Sequence, residues 1–590
     1  MKTMLVVATL GCLVACGAPV SAPDAGAGGS SGGGSTTTGG GVSGGGAAGG
    51  LTAGGSGGGA AGGLTAGGSG GGASGGSATG GGGSAGGSSG GGSGGGGASG
   101  GSAGGVTGGG AAGGSSGGTT AGGGGSAGGG VATSRELFVA TTGADTNPGT
   151  MAQPFRTIGK AVMVAGASVS TTISLRAGTY GEKVHFTGNS SATAALVVLR
   201  SFPGEQAIID GTGLTASGQE GLVDIANRSN VRIEGLEVRN FRTSNSNVPV
   251  GIQLTGGMTN VTLSGNHVHD IVTTIETCSG NTGNALGIAV YGDDNATSIS
   301  NLVLMNNEVD HLRTGCSESV TLNGNVDGFL VENNRVHDND NIGIDLIGFE
   351  GTASSPAVDQ ARNGIVRLNQ VWNITSLNNP AYMGEQAADG IYVDGGKNVL
   401  IERNLVHNAD LGIEVASEHA GRSSSYVLVR DNLVYYSPQA GVSVGGYSNA
   451  VGNTDHTIVI NNTLYENEVE LQLQFHITTT VFQNNVAHNI AGNFRGGSSS
   501  GVTFTTNLER MGAASSTFVT PGTPRNGAIA VDLHTVGALA SSVVNRGTAL
   551  LTCPAGWTCP AVWGADLQGT ADYAGNPRAN GIIDLGAYEN

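Results

Sequence analysis

The motif Asn-x-Val recurs through the middle of this chain at uneven intervals. It stands in "GNHVHD" (265–270), "NNEVDH" (306–311), "NNRVHD" (333–338), "LNQVWN" (368–373), "RNLVHN" (403–408), "DNLVYY" (431–436), "NNTLYE" (461–466) and "QNNVAH" (483–488). Asn462 to Asn484 spans 22 residues, and other intervals run to 27–41. A minimum near 22 with variable excess suits a coil of three short strands whose loops grow on one side. Between the motifs, "NVTLSGN", "GFLVENN", "NVLIERN" and "YVLVRDN" alternate apolar and polar residues as strands do. Helix-period patterns are nearly absent. The Asn of each motif is expected at a sharp turn, because Asn tolerates left-handed backbone angles. A β-propeller is the competing architecture, disfavoured by the short and uneven period.

A second pattern is a Gly-Ile step. It aligns "GIQLTG" (251–256), "GIAVYG" (287–292), "SVTLNG" (319–324), "GIDLIG" (343–348), "GIYVDG" (390–395), "GIEVAS" (412–417), "GVSVGG" (441–446) and "ELQLQF" (470–475). Second and fourth residues are mostly aliphatic and are expected to point into the coil, third and fifth outward. Asp345, Tyr392, Asp394 and Glu414 then share one outer patch on three successive rungs. Rung spacing puts Asp345 and Glu414 roughly 9–10 Å apart at the Cα level, with Tyr392 between them. Asp394 lies about 8 Å from each. Glu350, Glu418 and His419 follow in the loops, and Asp389 precedes the middle rung.

Carboxylates are depleted in strands, so their gathering here calls for a reason. Paired carboxyls at such separations fit glycoside chemistry: one protonates the leaving oxygen and another activates water. Crowding raises the pKa of one and so supplies the acid. Asp345, Tyr392, Asp394 and Glu414 are the candidate catalytic groups. Glu350, Asp389, Glu418 and His419 are candidate substrate contacts. The insert 374–388 is expected to wall the site, with Tyr382 and Trp372 as sugar-stacking candidates. The plainer alternative is that these acids are solvated surface groups.

The repeat resembles the right-handed parallel β-helix of the pectate lyase superfamily over most of 135–495. The start, "LFVATTGADTNPGTMAQPFRTIGKAVMVA" and "ISLRAGTYGEKV" (137–184), looks like a first strand, a capping helix at about 155–166 and a first rung. The end, "GIIDLGAYEN" (581–590), looks like a tail common in secreted bacterial β-helix proteins. The segment 317–346, "SESVTLNGNVDGFLVENNRVHDNDNIGIDL", is similar to family-9 polysaccharide lyases. That resemblance implies bound Ca²⁺ on acids, with Glu318 and Asp345 at two of the acid positions, while Asn341 and Ile342 replace the other two acids and thin the site. It puts Tyr392 at the position of the family's proton-abstracting Lys, and a Tyr serves as base only with a lowered pKa.

The expected fold class is therefore all-β: a right-handed parallel β-helix with an N-terminal capping helix, preceded by a disordered Gly/Ser-rich linker. Residues 1–16, "MKTMLVVATLGCLVAC", read as an export signal. Leu13–Cys16 resembles the bacterial lipobox, which implies acylation of Cys16 and a lipid anchor in a membrane; an ordinary signal peptide cut elsewhere is the alternative. Residues 17–134 read as linker, with no charged residue between Asp24 and Arg135. Such a stretch does not bury enough apolar surface to order itself. Its main part, a coil of about 110 residues, spans roughly 55–60 Å. The β-helix occupies 135–495, and 496–590 are expected to supply the last rungs and a capping segment.

A net charge of −18 argues against nucleic acid and anionic membrane surfaces. Outside the signal, Cys278, Cys316, Cys553 and Cys559 suit disulfides in an exported domain, paired 278 with 316 and 553 with 559, with zinc as the alternative. His269, His337 and His407 recur at one motif position and suit surface stacking better than a metal column. "YGDDNAT" (291–297) suits a loop turn better than a Ca²⁺ loop. The expected protein is a monomer, exported and lipid-anchored to the outer membrane or cell surface, or secreted. It acts on a polysaccharide or, as the competing reading, binds glycans without turnover as an adhesin-type module.

Overall fold

The computed structural model of the protein describes residues 134–278, 282–522, 531–549, 552–578 and 582–589. The expected signal, the acylated Cys16 and the linker up to residue 133 lie outside them.

Among the described residues the strands form three long parallel sheets of 13, 12 and 11 strands, stacked as a right-handed β-helix. One turn runs from Ile344–Ile347 on the 11-stranded sheet to Arg362–Arg367 on the 13-stranded sheet and Gln370–Ile374 on the 12-stranded sheet. The chain then returns to the first sheet at Asp389–Asp394. Leu411–Ala416 adds the next rung. Ile344, Leu346, Ile391, Val393, Ile413 and Val415 belong to one continuous aliphatic core. The Gly-Ile step has a steric origin. A Cβ on Gly343 would lie 2.5 Å from the Gly390 carbonyl oxygen, and one on Gly412 would lie 2.3 Å from Val434 Cγ1.

The Asn-x-Val motif marks the corner between the 13- and 12-stranded sheets, for a different reason than the one expected. Left-handed angles fall one residue earlier, at Asn306, Asn333, Arg403, Asp431, Asn461 and Asn484. The motif Asn is instead a rung of a buried ladder. Asn404 donates its backbone amide and Nδ2 to Asn432 Oδ1 at 2.9 and 3.0 Å, and Nδ2 also reaches the Val366 carbonyl at 3.0 Å. The same pattern joins Asn432 to Asn462 and Asn462 to Asn485. Asn485, not Asn484, is therefore the structural equivalent in the last motif. The corner stays two residues long because both its residues are specified, one by backbone angle and one by buried hydrogen bonds.

The helix Ile158–Ala165 lies on the first coil, burying Ile158, Ala161 and Ala165. Its start is held twice. Thr157 Oγ1 accepts the Lys160 amide at 3.2 Å, and the Glu182 carboxylate accepts those of Ile158 and Gly159 at 2.8 and 3.1 Å.

The C-terminal segment differs from the expected cap. After Leu508–Arg510 it runs back along the flank of the coil. Trp563 and Leu567 cover Leu400, Leu428 and Ile458, while Phe518, Leu585 and Tyr588 join Tyr435, Tyr465 and Val486. Arg578 pairs with Asp431 at 2.9 Å, both fully buried. The disulfides are Cys278–Cys316 and Cys553–Cys559.

Candidate active site

Strand register brings the sequence-defined acids together. Asp345 pairs with Tyr392 and Tyr392 with Glu414 across three successive rungs, while Asp394 sits opposite Ala416. These side chains face away from the aliphatic core, yet they are not a solvated outer patch. Asp345 is 2 % exposed and Glu414 7 %. Asp389 and Asp394 are equally covered, and Glu318 joins them from the preceding rung. The plain surface-acid reading is therefore excluded for these five. Part of the cover comes from the insert, whose turn Pro380–Tyr382 places the Tyr382 oxygen 3.0 Å from Asn341 Nδ2, its donor. On the other edge, Asp359 accepts the amides of Gly351 and Ala353 at 2.7 and 2.9 Å and shapes the loop that carries Glu350.

Seven carboxyls thus share one covered region: Glu318, Asp345, Glu350, Asp389, Asp394, Glu414 and Glu418. None of them pairs with a Lys or Arg among the described residues. Burial without compensating charge favours the neutral form. Burial, and then the charges of Glu318 and Asp394, hold both Asp345 and Glu350 well above the usual carboxylate range. Burial pushes Glu318 up to about 7 against the Thr321 hydroxyl, which donates to its Oε2 at 2.8 Å. Asp394 also rises to about 7, although the Glu418 amide donates to its Oδ1 at 2.8 Å. Asp389 and Glu414 are side-chain neighbours. Burial, and then the Glu414 charge, hold Asp389 well above the usual carboxylate range, and burial pushes Glu414 up to about 7 although it accepts from the Ser443 hydroxyl at 3.2 Å.

Three expectations change. Asp389, expected only as a substrate contact, is buried beside Glu414 and interacts with it. Tyr392 is held well above its ordinary pKa by burial and then by Asp394, Glu418 and Glu414, the opposite of the lowered pKa that a base would need. Trp372 is not at the site. It lies on the 12-stranded sheet, stacked between His337 at 3.9 Å and His407 at 6.1 Å. That aromatic column also contains Tyr435, 4.8 Å from His407, and accounts for the recurring His without a metal. His269 stacks on His267. Asp294 of "YGDDNAT" accepts the amides of Ala296 and Thr297, which is a turn.

Sequence reasoning left Asn323 and Asn341 without roles. Asn323 donates to Glu350 Oε2 at 2.7 Å, and Asn341 ties Tyr382 to the Ser317 carbonyl. The available signal was an amide at a column position where the neighbouring rungs carry acids. Glu318 and Asp345, the residues expected to hold Ca²⁺, stand in this same acidic region. Among the described residues the side chains that close a three-ligand set are Glu350, Asp394 and His419, with donor atoms within 4.8 Å of one another. One of these donors is a nitrogen, whereas Ca²⁺ takes six to eight oxygens.

Comparison with known proteins agrees with the architecture. Residues 272–455 match the family described as right handed beta helix region. The uncharacterized protein YwoF of Bacillus subtilis (strain 168) is 36 % identical over 358 residues, covering 59 % of this chain and 74 % of YwoF. Among solved structures, pectate lyase Pel9A aligns at 15 % identity and a TM-score of 0.45, over 78 % of this chain and 98 % of its own. The GH136 lacto-N-biosidase from Eubacterium ramulus aligns at 11 % and 0.44, over 64 % and 68 %. The alginate lyase from Paenibacillus sp. str. FPU-7 aligns at 16 % and 0.39, over 58 % and 99 %. At these identities no residue role carries over from them.

Proposed function

This chain belongs to the same family as YwoF of Bacillus subtilis, and on that footing we propose that it is a surface-displayed, carbohydrate-active protein that hydrolyses glycosidic bonds of a polysaccharide. The observation that carries the reading is the Asp389–Glu414 pair, two buried neighbouring carboxyls beside Tyr392 that we take to share one proton, with Asp345 one rung away. Such a couple is a proton donor near neutrality. Its proton goes to the glycosidic oxygen as the bond to the anomeric carbon breaks. Asp345 takes the proton of the attacking water, in the fraction of molecules in which its neighbours hold the protons. Tyr392 donates a hydrogen bond to the sugar, and Tyr382 walls the cleft. Hydrolysis is favoured over β-elimination because Tyr392 is not poised to abstract a proton. Export and tethering through Cys16 and the Gly/Ser linker belong to the same proposal.

The burial of the acids favours a second reading, a glycan-binding or adhesin-type β-helix without turnover. One assay separates the two. The full chain is incubated with a panel of neutral and acidic polysaccharides, and new reducing ends and ultraviolet absorbance are followed together. Reducing ends without absorbance are expected. Absorbance would mean elimination and would remove these roles from the carboxyls. Neither signal across the panel, with retention on a glycan column, would leave the binding protein. Asp345→Asn and Glu414→Gln are each expected to abolish hydrolysis with the fold intact.

A further inference from the structure

We propose that Glu350, Asp394 and His419 bind a divalent first-row transition ion of the Zn²⁺ or Mn²⁺ type. The three come from separate places: the loop after Ile344–Ile347, the end of Asp389–Asp394, and the loop after Leu411–Ala416. Their donor atoms nevertheless lie within 4.8 Å of one another. The two carboxyls are each held at one oxygen and left available at the other. Glu350 accepts from Asn323 at Oε2, while Oε1 is buried with no hydrogen-bond partner among the described residues. Asp394 accepts the Glu418 amide at Oδ1, leaving its second oxygen. Nε2 of His419 is likewise buried and unpartnered. This is the outer support that orients ligands in metal sites.

A second observation points to a bound cation. Asp345, 2 % exposed, has an unpartnered Oδ1 in the same acidic region, and fully buried Asn323 has an unpartnered Oδ1 next to Glu350. Orphaned buried oxygens are costly, and a divalent ion in their midst offsets that cost. Two carboxylates and an imidazole suit a transition ion; a Ca²⁺ site would be all oxygen. Glu418, whose backbone amide holds Asp394, also has a buried and unpartnered Oε2.

The inference does not rest on glycoside cleavage, since binding is read without substrate. The full chain is stripped with chelator and titrated with ZnCl₂, MnCl₂ and CaCl₂ by calorimetry at pH 7.5. One equivalent of Zn²⁺ or Mn²⁺ is expected, at least tenfold tighter than Ca²⁺. His419→Ala should weaken it more than tenfold, while His267→Ala, on the 12-stranded sheet, leaves it unchanged. If His419→Ala does not fold, Co²⁺ added to the native chain decides. A visible d–d band that titrates to one equivalent and is displaced by Zn²⁺ supports the site. Tighter Ca²⁺ binding, affinity indifferent to His419→Ala, or no stoichiometric Co²⁺ band would overturn it.

Discussion

The proton that Asp389 and Glu414 are proposed to share makes a specific demand on stability. Glu414 moves from an ordinary 4.5 to about 7 on folding because burial penalises its charge. A raised carboxyl contributes its full stabilisation below the unfolded pKa and loses it as pH rises through the folded one. The window is therefore about pH 4.5 to 8, and stability falls across it. A shift of that size corresponds to about 3 kcal/mol for this group alone. Asp389, Asp394, Glu418, Tyr392 and Asp345 face the same region, so the figure belongs to the coupled cluster as much as to Glu414. Glu414→Gln keeps the acceptor for Ser443 and replaces a titrating group by a neutral one. In chelator, the melting temperature of the native chain should drop between pH 5 and pH 8, and that drop should be smaller in the variant by about 3 kcal/mol of equivalent stability. Equal pH profiles for the two proteins would refute the idea that Glu414 is held protonated by burial.

Other positions make independent demands. Asn404→Ala removes a ladder amide and orphans Asn369, the Asn432 oxygen and the Val366 carbonyl, so a loss of about 3 kcal/mol is expected in chemical denaturation. Arg578→Ala removes the paired cation from buried Asp431, leaving only the weaker influence of Arg430, and should cost about 3–5 kcal/mol, with the tail becoming sensitive to limited proteolysis before the coil does. Opening Cys278–Cys316, separated by 38 residues, should cost about 4 kcal/mol, against about 2 for Cys553–Cys559, separated by 6, in melts of the Ser variants.

Much of the architecture was legible because each coil repeats a steric requirement. The Gly-Ile step marks where successive backbones nearly touch, and the alternation after it separates Ile344 and Leu346 from Asp345. The register of Asp345, Tyr392 and Glu414 followed from that alone. What the sequence hid was the cover. The insert that carries Tyr382 was expected as a wall, but nothing in the local pattern of Asp345 says that the walls leave it only 2 % exposed. Burial decides whether Tyr392 is a base or a donor, so its role was out of reach too. The ladder was misread for a related reason: Asn suits both a left-handed turn and a buried hydrogen bond, and the neighbouring residue took the turn.

The distribution of loop lengths explains why the acids gather on one sheet. From Asn266 onward the corner between the 13- and 12-stranded sheets is held at two residues by a left-handed position and a buried Asn, whereas 202–206 make it five residues long in an earlier rung that lacks the Asn. In the Asn-bearing rungs growth occurs at the other two corners, as in 348–361 and 375–388, and both of those flank the 11-stranded sheet. Loops on both sides raise walls around whatever that sheet presents. Side chains there are withdrawn from water, and a carboxyl placed among them gains an unusual proton affinity or a need for a cation. The same acids on the 12-stranded sheet would stay ordinary. There the chain instead stacks His337, Trp372 and His407, which need no walls.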